Sequence, residues 1–143
     1  MLRKRSIHAL KALLELSASP QDWRSTTDLA RCQELPEPLL EQILLQLRRA
    51  GLLEARRGRL GGFRLQRPPA RIKVAEVVAL MEPMAVPDPQ GEQQASSRVT
   101  RALERRLHLA VLQTLEALTL EDLLYDLLSA EAEADTERGL LLG

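Results

Sequence analysis

Residues 25–67 read STTDLARCQELPEPLLEQILLQLRRAGLLEARRGRLGGFRLQR, and their punctuation decides the fold. Ser25, Thr26, Thr27 and Asp28 offer N-cap oxygens for a short helix reaching about Gln33. Leu35 and Pro36 mark a turn, and Pro38 is tolerable only in a first helical turn. From there Leu39, Leu40, Ile43, Leu44 and Leu47 recur on one helical face until Gly51 ends the run. Short helix, tight turn and longer helix make a helix-turn-helix spacing. Two short runs then flank a glycine-rich turn, Gly58-Arg59-Leu60-Gly61-Gly62. They span residues 52–57 and 63–67 and read as a β-hairpin ended by Pro68-Pro69. A hairpin directly after a helix-turn-helix is a wing.

The flanks agree with this reading. Upstream, Ile7, Leu10, Leu13, Leu14 and Ser17 repeat at helical spacing, which predicts a helix over 4–18 closed by Pro20. Downstream, a short apolar helix over 74–81 stops before Pro83. Residues 83–97, with Pro83, Pro87, Pro89 and Gly91, read as a flexible loop. Leu103, Leu107, Val111, Leu115 and Leu118 then recur over several turns, and Leu109 and Leu112 widen the apolar surface. That is more than one domain face needs. Thr119 or Ser97 is a candidate cap for a neighbouring helix. A short last helix opens at 119–124, and an acidic tail over 129–143 is expected to fray. The expected organisation is a mainly α chain: a winged domain over 1–82, a loop over 83–97, a dimerisation helix and short C-terminal helix over 98–128, then the tail.

The chain has 143 residues, one cysteine and three aromatics, so leucine must fill the core, which favours helices. One cysteine excludes an internal disulfide and any metal site built only from one chain's thiolates. The longest uncharged run, Leu107 to Leu115, is far below the roughly 20 residues of a membrane span. No apolar stretch follows Arg3, Lys4 and Arg5, so a cytoplasmic location without a secretory signal is expected.

The formal net charge is zero, but residues 1–73 carry 15 basic and 7 acidic side chains, and 74–143 carry 5 and 13. An anionic partner for the N-terminal half is one explanation, and a solvated arginine-rich surface is the other. Arg48, Arg49, Arg56, Arg57, Arg59, Arg64, Arg67 and Arg71 follow the second helix of the motif or decorate the wing. Planar guanidinium suits phosphate forks and narrow minor grooves. The expected contacts place the helix over 37–50 in a major groove. Glu41 and Gln42 would read bases, Pro38 and Leu45 would supply apolar contacts, and Gln46 would be a further adenine partner. Arg57 and Arg59 would enter the minor groove, with Arg48, Arg49 and Arg56 on phosphates. Outward Glu37 and Glu41 repel phosphate. Glu37 is explained by the positive helix N-terminus, whereas Glu41 fits a cytosine amine or solvent equally well. His8 and His108 stand alone in their helices, and no glycine motif of the phosphate-cradling kind occurs, so no enzyme is expected. Cys32 is expected as a small, at least half-buried side chain of its helix.

The chain resembles the Rrf-two family of IscR/NsrR-type winged-helix regulators. The resemblance is carried by Leu40-Glu41-Gln42, by Leu47-Arg48-Arg49-Ala50-Gly51-Leu52, by Arg57-Gly58, and by Gly61-Gly62-Phe63-Arg64-Leu65. Residues 6–16 and 119–124 are similar to the family's opening and closing helices. The resemblance implies a homodimeric transcription regulator of double-stranded DNA whose long helix crosses its partner's copy. Many members hold an iron–sulfur cluster on three loop cysteines and a ligand near the start of that helix. Here residues 83–101 contain neither Cys nor His, and the ligand-like position falls on Arg101. No cofactor is therefore expected. Further departures are Leu39 for an aromatic, Pro36 for a cap serine, and Arg59 where the family often has proline. Two other readings stay open: a sensor whose loop or dimer cleft binds a small molecule or partner protein, and an interaction module that no longer reads DNA.

Overall fold

The computed structural model describes residues 2–84 and 94–142. Its elements are α1 (Lys4–Ala18), α2 (Thr26–Gln33), α3 (Glu37–Arg49), β1 (Leu53–Arg56), β2 (Gly62–Leu65), α4 (Val74–Met81), α5 (Ala95–Leu115) and α6 (Leu120–Leu142). A single 3-10 turn, Pro69–Arg71, links wing to α4.

Local chemistry sets each boundary of the helix-turn-helix. Ser25 caps α2 by accepting the Asp28 N–H at 3.1 Å. Glu34 ends it in the left-handed region at φ 54°, and the next amide, of Leu35, donates to the Ala30 carbonyl at 2.9 Å. Pro38 sits in the first turn of α3, where no intrahelical N–H is lost. Gly51 leaves α3 at φ +81°, and the Leu52 amide closes the end on the Leu47 carbonyl.

The core is aliphatic. Leu13 and Leu16 of α1, Leu29 of α2, and Leu40, Ile43, Leu44 and Leu47 of α3 are fully buried with Leu52, Leu53, Ile72, Val77 and Leu120. Polar ties join the same helices. Gln46 accepts from Arg5 and donates to the Leu80 carbonyl, at 2.8 and 2.9 Å, so it links α3 to α1 and α4. Buried Ser6 donates to Glu82 just beyond α4.

β1 and β2 pair antiparallel, Leu53 against Leu65 and Arg56 against Gly62. Arg24 adds a third, one-residue rung by exchanging both backbone hydrogen bonds with Phe63, at 2.9 and 2.8 Å. The wing is thereby joined to the segment that leads into α2. Gly62 makes this approach feasible: its φ is +142°, and a Cβ there would sit 2.3 Å from the Arg24 carbonyl oxygen. At the far end of the domain, the Leu120 amide donates to Ile72 and the Val74 amide to Leu118, fixing the α5–α6 corner beside α4.

Three expectations change. The long helix starts at Ala95, not near 98, so Ser97 lies inside it and caps nothing. Thr119 does cap α6, with Asp122 reaching back to the Thr119 amide at 2.9 Å. The short last helix and frayed tail are one helix to Leu142, because Ala, Glu, Leu and Arg, all strong helix formers, dominate residues 127–142. Most of the expected loop over 83–97, namely 85–93, lies outside the described residues.

Gly62→Ala is expected to cost about 1–3 kcal/mol of stability, through the strained φ and the collision with Arg24. Urea unfolding checks this, and an unchanged midpoint contradicts the close approach.

Candidate nucleic-acid interface

α3 has two faces of opposite character. Leu40, Ile43, Leu44 and Leu47 point into the core, while Glu37, Pro38, Glu41, Gln42, Arg48 and Arg49 are exposed and Leu45 is half-buried. The helical period that buries one row leaves the other facing water. Pro38, Glu41, Gln42 and Leu45, singled out from sequence, therefore share the outward side. Gln46 does not belong with them, since both ends of its amide are engaged inside the domain. Glu37 accepts from the Thr27 hydroxyl at 2.7 Å, a tether between α2 and α3 that explains an acid there without a base contact.

The arginines divide by their partners. Arg24 pairs with Asp28 and Glu15, Arg31 with Asp28, Arg64 with Glu54 and Arg67 with Glu76. Arg56 donates to the Leu60 carbonyl across the wing turn at 2.7 Å and stacks on Trp23. It was expected as a phosphate contact; here its guanidinium also shapes the wing turn. Arg48, Arg49, Arg57, Arg59 and Arg71 are exposed, and none has an ion pair among the described residues. Four of these lie at the C-terminal end of α3 or at the wing tip. Positive charge is thus exposed at the C-terminal end of α3 and at the wing tip, with no ion pair among the described residues. Trp23 carries no signal in a single sequence; only the structure shows it against the wing.

Cys32 is exposed, correcting the expectation of burial: α2 turns Leu29 and Ala30 inward and leaves Cys32 outside, 3.5 Å from an Arg24 nitrogen. His8 is half-buried with its Nδ1 unpartnered.

α5 has no buried residue. Val99, Leu103 and Leu107 are 68%, 53% and 59% exposed, and Leu109 and Leu118 are exposed too. Val111 is half-buried, while Leu112 and Leu115 rest on the chain's own core. Of the expected dimerisation residues, Leu103, Leu107 and Leu118 therefore remain uncovered, and Leu115 is used internally. Between α5 and the α1 and α4 ends lies a cleft of about 460 Å³, lined by Arg3, Glu82, Arg105, Leu107, His108 and Val111 among others.

The profile of the Rrf2 (Rrf-two) family, described as an iron-dependent transcriptional regulator, matches residues 2–126. The chain belongs to the Rrf2 family. A similar protein, the HTH-type transcriptional regulator slr0846 of Synechocystis, is 38% identical over 135 residues, covering 92% of each chain. Among solved structures, IscR of T. potens is similar at a TM-score of 0.68 and 28% identity, covering 88% of this chain and 87% of that one. CymR of B. subtilis, titled the global cysteine regulator, is similar at a TM-score of 0.67 and 28% identity, covering 87% of this chain and 96% of that one.

The family description invokes iron, and this chain's residues do not suit it. The one thiol lies on α2 beside a guanidinium. Among the described residues no three His, Cys, Asp or Glu side chains converge as metal ligands. Residues 83–101 contain neither Cys nor His.

The hydrogen bond from Arg24 holds the Asp28 carboxyl below the usual carboxylate range, against a smaller opposing effect of burial. A folded value below the unfolded one stabilises the fold above the unfolded range, about pH 3.9, and that contribution fades as pH falls through the folded value. Asp28→Asn is expected to lower the urea midpoint at pH 7, with the deficit shrinking below about pH 4. A deficit constant down to acid unfolding contradicts this role.

Proposed function

We propose that this Rrf2-family chain is a homodimeric, sequence-specific regulator that binds double-stranded DNA without an iron–sulfur cluster. The observation that carries the reading is the division of α3: one face fully committed to the core, the other exposed and continuous with unpaired arginines. In this proposal α3 enters the major groove. Glu41 and Gln42 meet base edges, with Pro38 and Leu45 beside them, and Arg48 and Arg49 take phosphates. Arg57 and Arg59 bring the wing tip to the adjacent minor groove. Arg56 leaves the phosphate set and acts inside the wing.

The uncovered leucines of α5 support the homodimer, because a helix with no buried residue gains its stability from a partner face. Two-fold pairing implies a pseudo-palindromic operator with half-sites about one or two helical turns apart. A cytoplasmic, non-enzymatic protein follows from the same reading. No helix among the described residues is long and apolar enough to cross a membrane.

A second reading, an effector-sensing regulator, is favoured by the cleft beside α5. It joins the reading domain to the proposed dimer helix, so a small molecule there would bias the two heads. A compound that raises the unfolding temperature of wild type but not of His108→Ala would support it.

Arg57→Ala is expected to weaken operator binding by roughly 1–3 kcal/mol and to relax preference at the contacted step. An operator isotherm unchanged at moderate salt removes Arg57 from the mechanism. Leu107→Glu is expected to shift sedimentation equilibrium from dimer to monomer, because it places a charge in an apolar contact. A variant as dimeric as wild type contradicts the α5 interface.

A further inference from the structure

Trp23 is the chain's one tryptophan, and it lies between α1 and α2 rather than in the core. Two wing guanidiniums stack on its ring: the Cζ of Arg56 at 4.7 Å and that of Arg64 at 4.3 Å from the centroid. They come from different strands. Arg56 is paired with Gly62 and Arg64 with Glu54, so both belong to one face of the hairpin. Two like charges would normally spread apart. Here the indole face attracts both, and Glu54 neutralises one of them.

The arrangement continues toward the wing tip. Arg56, held by the ring, donates to the Leu60 carbonyl at 2.7 Å and so grips the turn that carries Arg57 and Arg59. The neighbouring residue, Arg24, is bonded through its backbone to Phe63 of β2, one register step from the turn of the same hairpin. Residues 23 and 24 therefore hold the wing at two places. The backbone rung holds the β2 main chain at Phe63, and the stacked ring holds the side chains of Arg56, beside the turn, and of Arg64. Neither Arg57 nor Arg59 has an ion pair of its own among the described residues; besides Arg56, the Gly61 amide closes their turn on the Gly58 carbonyl at 3.1 Å.

We propose that Trp23 is a positioning residue for DNA binding, which through Arg56 holds the wing turn at the angle where Arg57 and Arg59 reach the duplex. The inference rests on the DNA-reading proposal and deepens it. Trp23 itself touches no DNA in this scheme. The indole is suited to the task because its π face is the strongest of the side chains toward a guanidinium. Phenylalanine retains a weaker version of the same face, and alanine retains none.

The test uses full-length protein and a duplex selected from a random library by the wild type, with affinity read by fluorescence anisotropy. Trp23→Ala is expected to weaken binding about ten-fold, the effect of losing wing contacts. Trp23→Phe is expected to stay within about two- to three-fold of wild type. The deciding comparison is a cycle with Arg57→Ala/Arg59→Ala. In that background Trp23→Ala is expected to cost nothing further, because the groups it positions are gone. A penalty that persists there marks general structural damage and overturns the proposal, as does Trp23→Ala binding like wild type. If Trp23→Ala does not fold, Arg56→Met keeps the stem and removes the guanidinium. It is expected to reproduce both the loss and the non-additivity, and full affinity in Arg56→Met overturns the proposal. A wild type that selects no duplex overturns the DNA-reading proposal and this one together, whereas a selecting wild type with an indifferent Trp23→Ala overturns only this one.

Discussion

The burial of one face of α3 is the constraint on which the rest depends. Leu40, Ile43, Leu44 and Leu47 are all fully buried against α1, α2 and the start of β1. Burying four such side chains contributes roughly 1.5–3 kcal/mol each. That fixes the rotation of the helix about its own axis, and rotation decides which residues face outward. Gln46 adds a directional lock, since its amide must reach both Arg5 and the Leu80 carbonyl.

Charge follows a second pattern: several arginines are paired with acids in positions that build structure, while others have no ion pair among the described residues. Glu15 and Asp28 surround Arg24, Glu54 meets Arg64, and Glu76 meets Arg67. These half-exposed pairs are worth little individually, so their value lies in orientation more than in stability. Arg48, Arg49, Arg57, Arg59 and Arg71 have no ion pair among the described residues, and the first four are the ones that the proposed reading offers to a duplex. The positive excess of the N-terminal half is therefore a sorted quantity, and only part of it is available to a partner.

Much of the fold was legible because it is written in local chemistry. Proline, glycine and leucine periodicity placed α1, α2, α3 and α4 closely, and Gly51, Gly58 and Gly62 all adopt the positive φ that their turns require. What sequence could not supply was pairing across distance. The Arg24–Phe63 rung, the Trp23 stack and the engagement of Gln46 join residues 33 to 41 positions apart, and no single-sequence pattern encodes them. The α6 error had a different origin: an acidic, small-residue tail resembles a frayed end, yet its helix propensity is high and Gly139 alone does not break it. Cys32 was misplaced for lack of knowledge of which side of a two-turn helix faces the core.

In the proposed function the reading surface is built by packing and by arginine sorting, without an iron–sulfur cluster. The measurement that tests this most directly is a salt titration of metal-free wild-type protein against duplexes tiling its own upstream region, read by fluorescence anisotropy. The account expects tight binding to one tile over random duplex, weakening steeply as salt rises because several phosphates are neutralised. Absence of binding to every tile and to random duplex, even at low salt, would contradict it.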